Sequence, residues 1–312
     1  MTRRPIIIDT DPGVDDALAI FLALGSPGLE LLGITTVAGN LPLSWTETNA
    51  RRLCELAGRA DVKVFAGCPR PILRPLVTAE QFHGPEGLGD LVLPEPAMLL
   101  QGQHAVDWLV ETLMQAEDGA ITLCALGPLT NLALAMVKQP AILPKIREIV
   151  MMGGSVFHGG NVTPAAEFNI HVDPHAAAVV FGSGCRLTLM PLDVAHKALA
   201  TAERFARIEA MDTAVGRACC DMLAFYRRSH EASHGGVDFP LYDPCVTAYL
   251  VRPEIFSGRE VHVAVETASE TTMGMTVVDW RGKTGAPPNC TVMTEIDAAA
   301  FFDLLIERIG RL

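Results

Sequence analysis

Apolar positions in the first two thirds of the chain fall into short continuous runs separated by stretches with helical spacing. Residues 5–8, 29–37, 62–65, 121–125, 148–152 and 187–190 read as strands. Between them, residues 15–24, 46–56, 103–115, 129–137 and 174–181 carry the 3.6-residue spacing of helices, with Ala17, Leu18, Ile20, Phe21 and Leu24 forming the apolar set of the first. Strands alternating with helices predict a mostly parallel α/β sheet covered on both faces. The last third differs. Residues 201–233 are largely helical, 261–266 and 275–280 predict an antiparallel hairpin with 289–294 as a third strand, and 298–309 a closing helix. No repeat or linker interrupts the pattern, so residues 1–312 read as a single domain: one open, mostly parallel sheet flanked by helices, with a small C-terminal antiparallel hairpin. Residues 69–102 are rich in Pro and Gly and lack periodicity. A loop that long in a compact domain is usually functional or mobile, and it is expected to act as a lid.

In open α/β sheets, ligands bind beyond the carboxyl ends of the strands. Polar signals sit there: Asp9–Asp16 after the first strand, Gly39-Asn40 after the second, Gly127–Asn131 after a middle one and Gly153-Gly154 after the next. Together they outline one crevice.

Its first segment, DTDPGVDD, is the most charged. Asp9, Asp11, Asp15 and Asp16 lie within eight positions, and each carboxylate raises its neighbours' pKa unless a cation or N–H donors compensate. Pro12-Gly13 folds Asp11 back towards Asp15 and Asp16 at a helix start, where the dipole is positive. A lone Asp there would be a helix cap, but four acids point to a hard cation, Ca²⁺ or Mg²⁺ rather than zinc or copper. Elsewhere, Asp243 before Pro244 and Asp173 before Pro174 read locally as N-caps. The loop Asn161–Asn169 offers donors and acceptors for hydroxyl groups, or is simply solvated. His83 lies in the expected lid, where a lone histidine is more often solvated than catalytic. His230 and His234 are one helical turn apart, with no third metal ligand nearby in sequence.

Composition narrows the partners. The chain has 312 residues, 49% hydrophobic and 19% charged, with net charge −12. Without clustered Lys and Arg, a nucleic-acid partner is not expected. No apolar stretch approaches the roughly 20 residues that span a bilayer, and residues 6–8 are too short for a signal-peptide core. The eight cysteines form no CxxC pair, which suggests reduced core thiols in a cytoplasmic protein.

Taken together, these segments resemble the inosine-uridine-preferring nucleoside hydrolase family. The matching pieces are DTDPGVDD at 9–16, TVAGN at 36–40, HGPEGLG at 83–89, ALGPLTN at 125–131, MGG at 152–154, NVTPAAEFN at 161–169 with DP at 173–174, PLDVAHK at 191–197 and YDP at 242–244. They run in family order over nearly the whole chain. The resemblance implies a Rossmann-like fold, hydrolysis of ribonucleosides to ribose and free base, and a homodimer or homotetramer. It implies Ca²⁺ held by the side chains of Asp11, Asp16 and Asp243 and the backbone carbonyl of Leu126, with Asp11 also the general base and Asp9 supporting from behind. Asp15 and Asn169 would hold ribose hydroxyls, Asn161 and Glu167 would reach the 5′ end, Asn40 would position the water, and Met152 would line the sugar pocket. Many members carry His immediately before the late Asp-Pro. Here Tyr242 stands, a phenol with a reference pKa of about 10 against about 6.5 for imidazole. Tyr242 would then hydrogen-bond or stack on the base, with His83, His230 or His234 as substitute acids for the leaving group. Pyrimidine or mixed specificity is expected. Two alternatives compete. A calcium-dependent ribose-binding module would keep Asp15, Glu167 and Asn169 without turnover. An aspartate-nucleophile phosphatase would use Asp9-Thr10-Asp11, but Gly13 stands where such enzymes usually carry Thr or Val.

Overall fold

Ile6, Ile7 and Ile8 are fully buried and alternate between two cores, as successive side chains of a strand must. Ile6 and Ile8 pack with α1, and Ile7 packs on the opposite face of the sheet. Burying each contributes about 1.5–3 kcal/mol, as expected of an interior strand covered on both faces. In this computed structural model, which describes residues 3–312 apart from the side chain of His234, the strands are β1 (Arg4–Thr10), β2 (Leu29–Thr36), β3 (Val64–Ala66), β4 (Ile121–Ala125), β5 (Ile146–Met152), β6 (Leu187–Met190), β7 (Leu199–Ala200), β8 (Phe239–Pro240), β9 (Phe256–Val265), β10 (Thr276–Asp279) and β11 (Cys290–Ile296). Nine form one sheet, ordered β10-β9-β11-β6-β5-β4-β1-β2-β3. It is parallel from β3 to β11 and antiparallel at β11–β9 and β9–β10.

The expected hairpin is therefore β9–β10, built as the edge of the main sheet, and the third strand, β11, inserts between β9 and β6. The separate antiparallel pair β7–β8 was not expected, because two-residue strands leave no periodic signal.

The helices are α1 (Val14–Leu24), α2 (Leu43–Leu56), α3 (Glu80–His83), α4 (Ala105–Gln115), α5 (Thr130–Lys138), α6 (Phe168–Val172), α7 (Pro174–Phe181), α8 (Leu192–Ala195), α9 (Ala202–Glu209), α10 (Ala214–His234), α11 (Pro244–Val251) and α12 (Ala298–Ile309). Ten of the eleven residues of α1, Val14 to Ala23, are buried. It lies beneath α10, α11 and α12 on one face, while α4, α5 and α7 cover the other. The helical stretch 201–233 divides into α9 and α10, each opened by a threonine cap: Thr201 accepts from Arg204 N and Thr213 from Gly216 N. The long loop carries the short α3, and its Gln101 bridges to Phe65 of β3.

β1 neighbours both β2 and β4, so strand order reverses there. At such a switch point the strand ends part into a crevice. Ala125 lies opposite Asp9, and Leu126 N donates to Asp9 O at 2.8 Å, so β1 and β4 deliver DTDPGVDD and Leu126 side by side. All eight cysteines are unpaired thiols and six are buried. Among the described residues, no helix is long and apolar enough to cross a membrane.

Candidate active site

Each acid of DTDPGVDD has a different environment. Asp9 accepts from Thr35 Oγ1 and from Asn131 Nδ2 at 2.8 Å. It thereby ties β1 to β2 and α5, and burial pushes its carboxyl up to about 7 despite those bonds. Asp16 accepts from Thr10 Oγ1, from Gly13 N at 3.0 Å and from Asn40 Nδ2 at 3.1 Å. It reaches back over the start of α1 as a capping residue does. Asp11 Oδ2 accepts from Asn40 N at 2.6 Å, whereas Asp11 Oδ1 is buried with no hydrogen-bond partner. A Cβ on Gly39 would lie 2.1 Å from Oδ2, and one on Gly127 would lie 2.2 Å from Oδ1. Only glycine leaves this carboxylate its room.

The late acid joins them. Asp173 caps α7, accepting from Ala176 N, as its local sequence indicates. Asp243 makes no such bond to α11. Its carboxylate lies with those of Asp15 and Asp16, ligand atoms all within 4.8 Å of one another and all three residues buried. Burial, then mutual repulsion, holds Asp11 and Asp243 well above the usual carboxylate range, and Asp15 at about 7. The tightest triple thus contains Asp15, expected on the sugar, while Asp11 couples to Asp15 and Asp16 from beside it. Asp9 Oδ2 is likewise buried without a partner, but it is Asp11 Oδ1, beside the mutually repelling carboxylates of Asp15 and Asp16, that adds to a donor set suited to a hard cation.

The expected sugar contacts converge here. Asn169 Nδ2 donates to Leu126 O at 2.6 Å and Met152 O at 3.2 Å; a carbonyl has two lone pairs, so Leu126 keeps one for a cation. Glu167 caps α6, with Oε1 accepting from Asn169 N and Oε2 from Gly154 N and Ile170 N. Burial outweighs these bonds and lifts it to about 7. Asn161 Oδ1 accepts from Phe168 N. Asp15, Asn40, Leu126, Met152, Asn161, Glu167, Asn169 and Asp243 line one cavity of about 340 Å³.

Rings line the same cavity: Phe82, His83, His158, Phe168, His196, Tyr226, His230 and Tyr242. His83 is buried, not solvated, and its Nδ1 accepts from Val14 N at 3.1 Å. An acceptor nitrogen carries no proton, so the neutral ring holds its hydrogen on Nε2. Burial lowers the ring to about 4. Tyr242 stays protonated, because burial and the charges of Asp15, Glu167 and Asp243 push its hydroxyl up; that hydroxyl lies 3.4 Å from His196 Nε2. His230 reaches the cavity, and Tyr226, one turn earlier on α10, does so with it. The side chain of His234 lies outside the described residues. Tyr226, His196 and His158 were missed from sequence. The i, i+4 spacing to His230 and the PLDVAHK segment were the available signals for the first two.

The comparisons with known proteins agree with this geometry. The model of the inosine-uridine preferring nucleoside hydrolase family matches residues 6–303. The chain belongs to that family. It is accordingly a ribonucleoside hydrolase, an enzyme that cleaves N-glycosidic bonds. It is 49% identical over 308 residues to an uncharacterized protein of Schizosaccharomyces pombe, covering 98% of this chain and 99% of that one. It is 43% identical to the pyrimidine-specific ribonucleoside hydrolase RihA of Shewanella woodyi, covering 98% of each. Its fold matches the purine-preferring ribonucleoside hydrolase from Gardnerella vaginalis with TM-score 0.92 at 31% identity, again over 98% of each chain. The expected fold class and family both stand.

Proposed function

We propose that this nucleoside hydrolase acts on pyrimidine ribonucleosides and does so with Ca²⁺. The observation that carries the reading is the buried carboxylate cluster at the end of β1, opening into a cavity that also presents Asn40, Asn169 and a set of rings. The pyrimidine preference is supported by identity to the RihA enzymes, 43–44%, against 31% for the purine-preferring Gardnerella vaginalis enzyme.

Asp11, Asp16, Asp243 and the Leu126 carbonyl would hold the ion, which would neutralise the cluster and lower the pKa of a bound water. Asp11 Oδ1, the unpartnered oxygen, accepts the proton of the attacking water, while Asn40 fixes Oδ2. Asp15 and Asn169 orient the ribose by its hydroxyls, and Asn161 and Glu167 bound the 5′ end. As the N-glycosidic bond breaks, positive charge grows on the sugar, as in glycoside hydrolysis generally. The fixed carboxylates stabilise it. On the base side, Tyr242 keeps its proton and donates a hydrogen bond, and His83 offers Nε2–H. His230 sits on the same cavity as a further donor. A single-domain, cytoplasmic homo-oligomer completes the proposal, on family likeness for assembly and unpaired cysteines for compartment.

Ribose release from uridine, cytidine and inosine, assayed before and after chelation and again after Ca²⁺ is restored, tests the reading. Uridine and cytidine are expected to be cleaved faster than inosine, with loss on chelation and recovery on Ca²⁺. Binding of nucleosides without release of ribose would favour the non-catalytic binding module instead.

A further inference from the structure

The segment between β5 and the Asn161–Asn169 loop is held in a way the reaction does not explain. Asp193, in the single turn α8, accepts hydrogen bonds from three successive backbone N–H groups. Val156 N donates to Oδ2 at 2.7 Å, and Phe157 N and His158 N donate to Oδ1 at 2.8 and 3.1 Å. Ser155 Oγ adds a fourth, to Oδ2 at 3.4 Å. Both carboxylate oxygens are thereby used on one strap.

Its two ends are fixed as well. Ser155 N donates to Thr276 Oγ1, which returns a bond to Ser155 O at 2.6 Å. Phe157, itself 68% exposed, meets Trp280 edge-on at 5.3 Å. The His158 ring lies against that of His196, centroids 4.0 Å apart and planes tilted by 32°. His196 lies three residues after Asp193, on the same side of the same helical turn, and its Nε2 is the atom beside the Tyr242 hydroxyl. One turn of helix therefore captures the strap twice, by its backbone through Asp193 and by its ring through His196. His158, His196 and Tyr242 all line the cavity.

We propose that Asp193 is a positioning residue: it docks the 155–158 strap so that His158 and His196 close one side of the nucleoside cavity and hold Tyr242 in place. Ser155 is buried and Val156 half-buried, while Phe157 and His158 are exposed; Asp193 is the side chain that holds the backbone N–H groups of 156–158. The inference rests on the cavity being the nucleoside site.

Asp193→Ala, Asp193→Asn and His158→Ala test it, alone and with Asp193→Ala and His158→Ala combined. Both positions are at least partly solvent-accessible, so the variants should fold. Asp193→Ala is expected to raise KM for uridine about tenfold while kcat changes by less than about threefold. It should also speed amide hydrogen exchange at 156–158 about tenfold or more. Asp193→Asn, which keeps one acceptor oxygen, should fall between. The double variant should lose no more than Asp193→Ala alone, because both act through one strap. Unchanged exchange at 156–158, unchanged KM, or additive effects would overturn the proposal. Failure of the nucleoside reading shows in the wild type, as no ribose release; failure of the clamp shows in the variants.

Discussion

Val14, the first residue of α1, gives its backbone N–H to His83 Nδ1 across 69 positions of sequence. The same two loops meet again where Asn49 Nδ2 donates to Pro12 O at 3.4 Å and Glu86 O at 2.6 Å. A Cβ on Gly13 would lie 2.4 Å from His83 Nδ1. The acidic loop and the HGPEGLG loop thus form one unit, and the long loop is tied to the carboxyl end of β1.

The His83 ring is expected to remain neutral from pH 8 down to about 5. Its folded pKa is depressed to about 4, whereas the unfolded ring titrates near 6.5. The unfolded chain therefore binds more protons between those values, and this group's share of stability is present above pH 6.5 and lost as pH falls towards 4. An NMR titration of the ring carbon protons checks this, and a midpoint near 6.5 would contradict it. His83→Ala is expected to cost about 10- to 100-fold in kcat/KM, the range for losing one hydrogen bond in a buried site.

Glu167 works in the opposite direction. Its folded carboxyl is raised to about 7, so the folded chain holds the proton that the unfolded chain releases near 4.5. Stability from this group falls as pH rises from about 4.5 to about 7. Thermal melts of wild type and Glu167→Gln across that range should show the wild-type excess shrinking as pH rises; an excess that grows would refute the sign.

Asp243 shows what the sequence could and could not reveal. Its local setting, Asp before Pro, is the same as that of Asp173; family likeness alone set it apart in the sequence, and in the fold Asp173 caps its helix while Asp243 is drawn to Asp15 and Asp16. The alternating runs made the sheet legible, because parallel strands buried on both faces leave continuous apolar segments. The β9–β10 hairpin was legible too, but not its place beside β11, since strand order depends on contacts distant in sequence. Family likeness supplied Asp11, Asn40, Asn161, Glu167 and Asn169 by motif. Tyr226 and His158 follow no motif of their own, and His196, inside PLDVAHK, was not singled out from it. They become neighbours of the site only through packing on α10 and α8.

The roles within the acidic cluster can be separated. Asp16→Asn and Asp243→Asn are expected to weaken Ca²⁺ binding by calorimetry, at least tenfold each, as removing a charged ligand does. Asp15→Asn should instead raise KM with a smaller change in Ca²⁺ affinity. Equal loss of Ca²⁺ affinity in all three would make Asp15 a ligand, as its place in the tight triple allows.

Gly127→Ala should be damaging although it replaces no charged residue. The added methyl would lie 2.2 Å from Asp11 Oδ1, and overpacking of this kind costs about 1–3 kcal/mol. The larger expected effect is on kcat, because the displaced oxygen is the one assigned to the water's proton. A melting temperature lowered by a few degrees with at least a 100-fold loss of kcat fits this assignment; normal kcat would place the general base elsewhere.

The central claim is that DTDPGVDD with Asp243 forms a Ca²⁺ site that supports attack on ribose. Ribose release from uridine by chelated protein, before and after Ca²⁺ is restored, addresses it most directly, with Asp11→Asn run in parallel. The expected result is turnover that vanishes on chelation, returns with Ca²⁺, and does not return in Asp11→Asn. Undiminished cleavage in the chelated enzyme, or full turnover by Asp11→Asn, would contradict it.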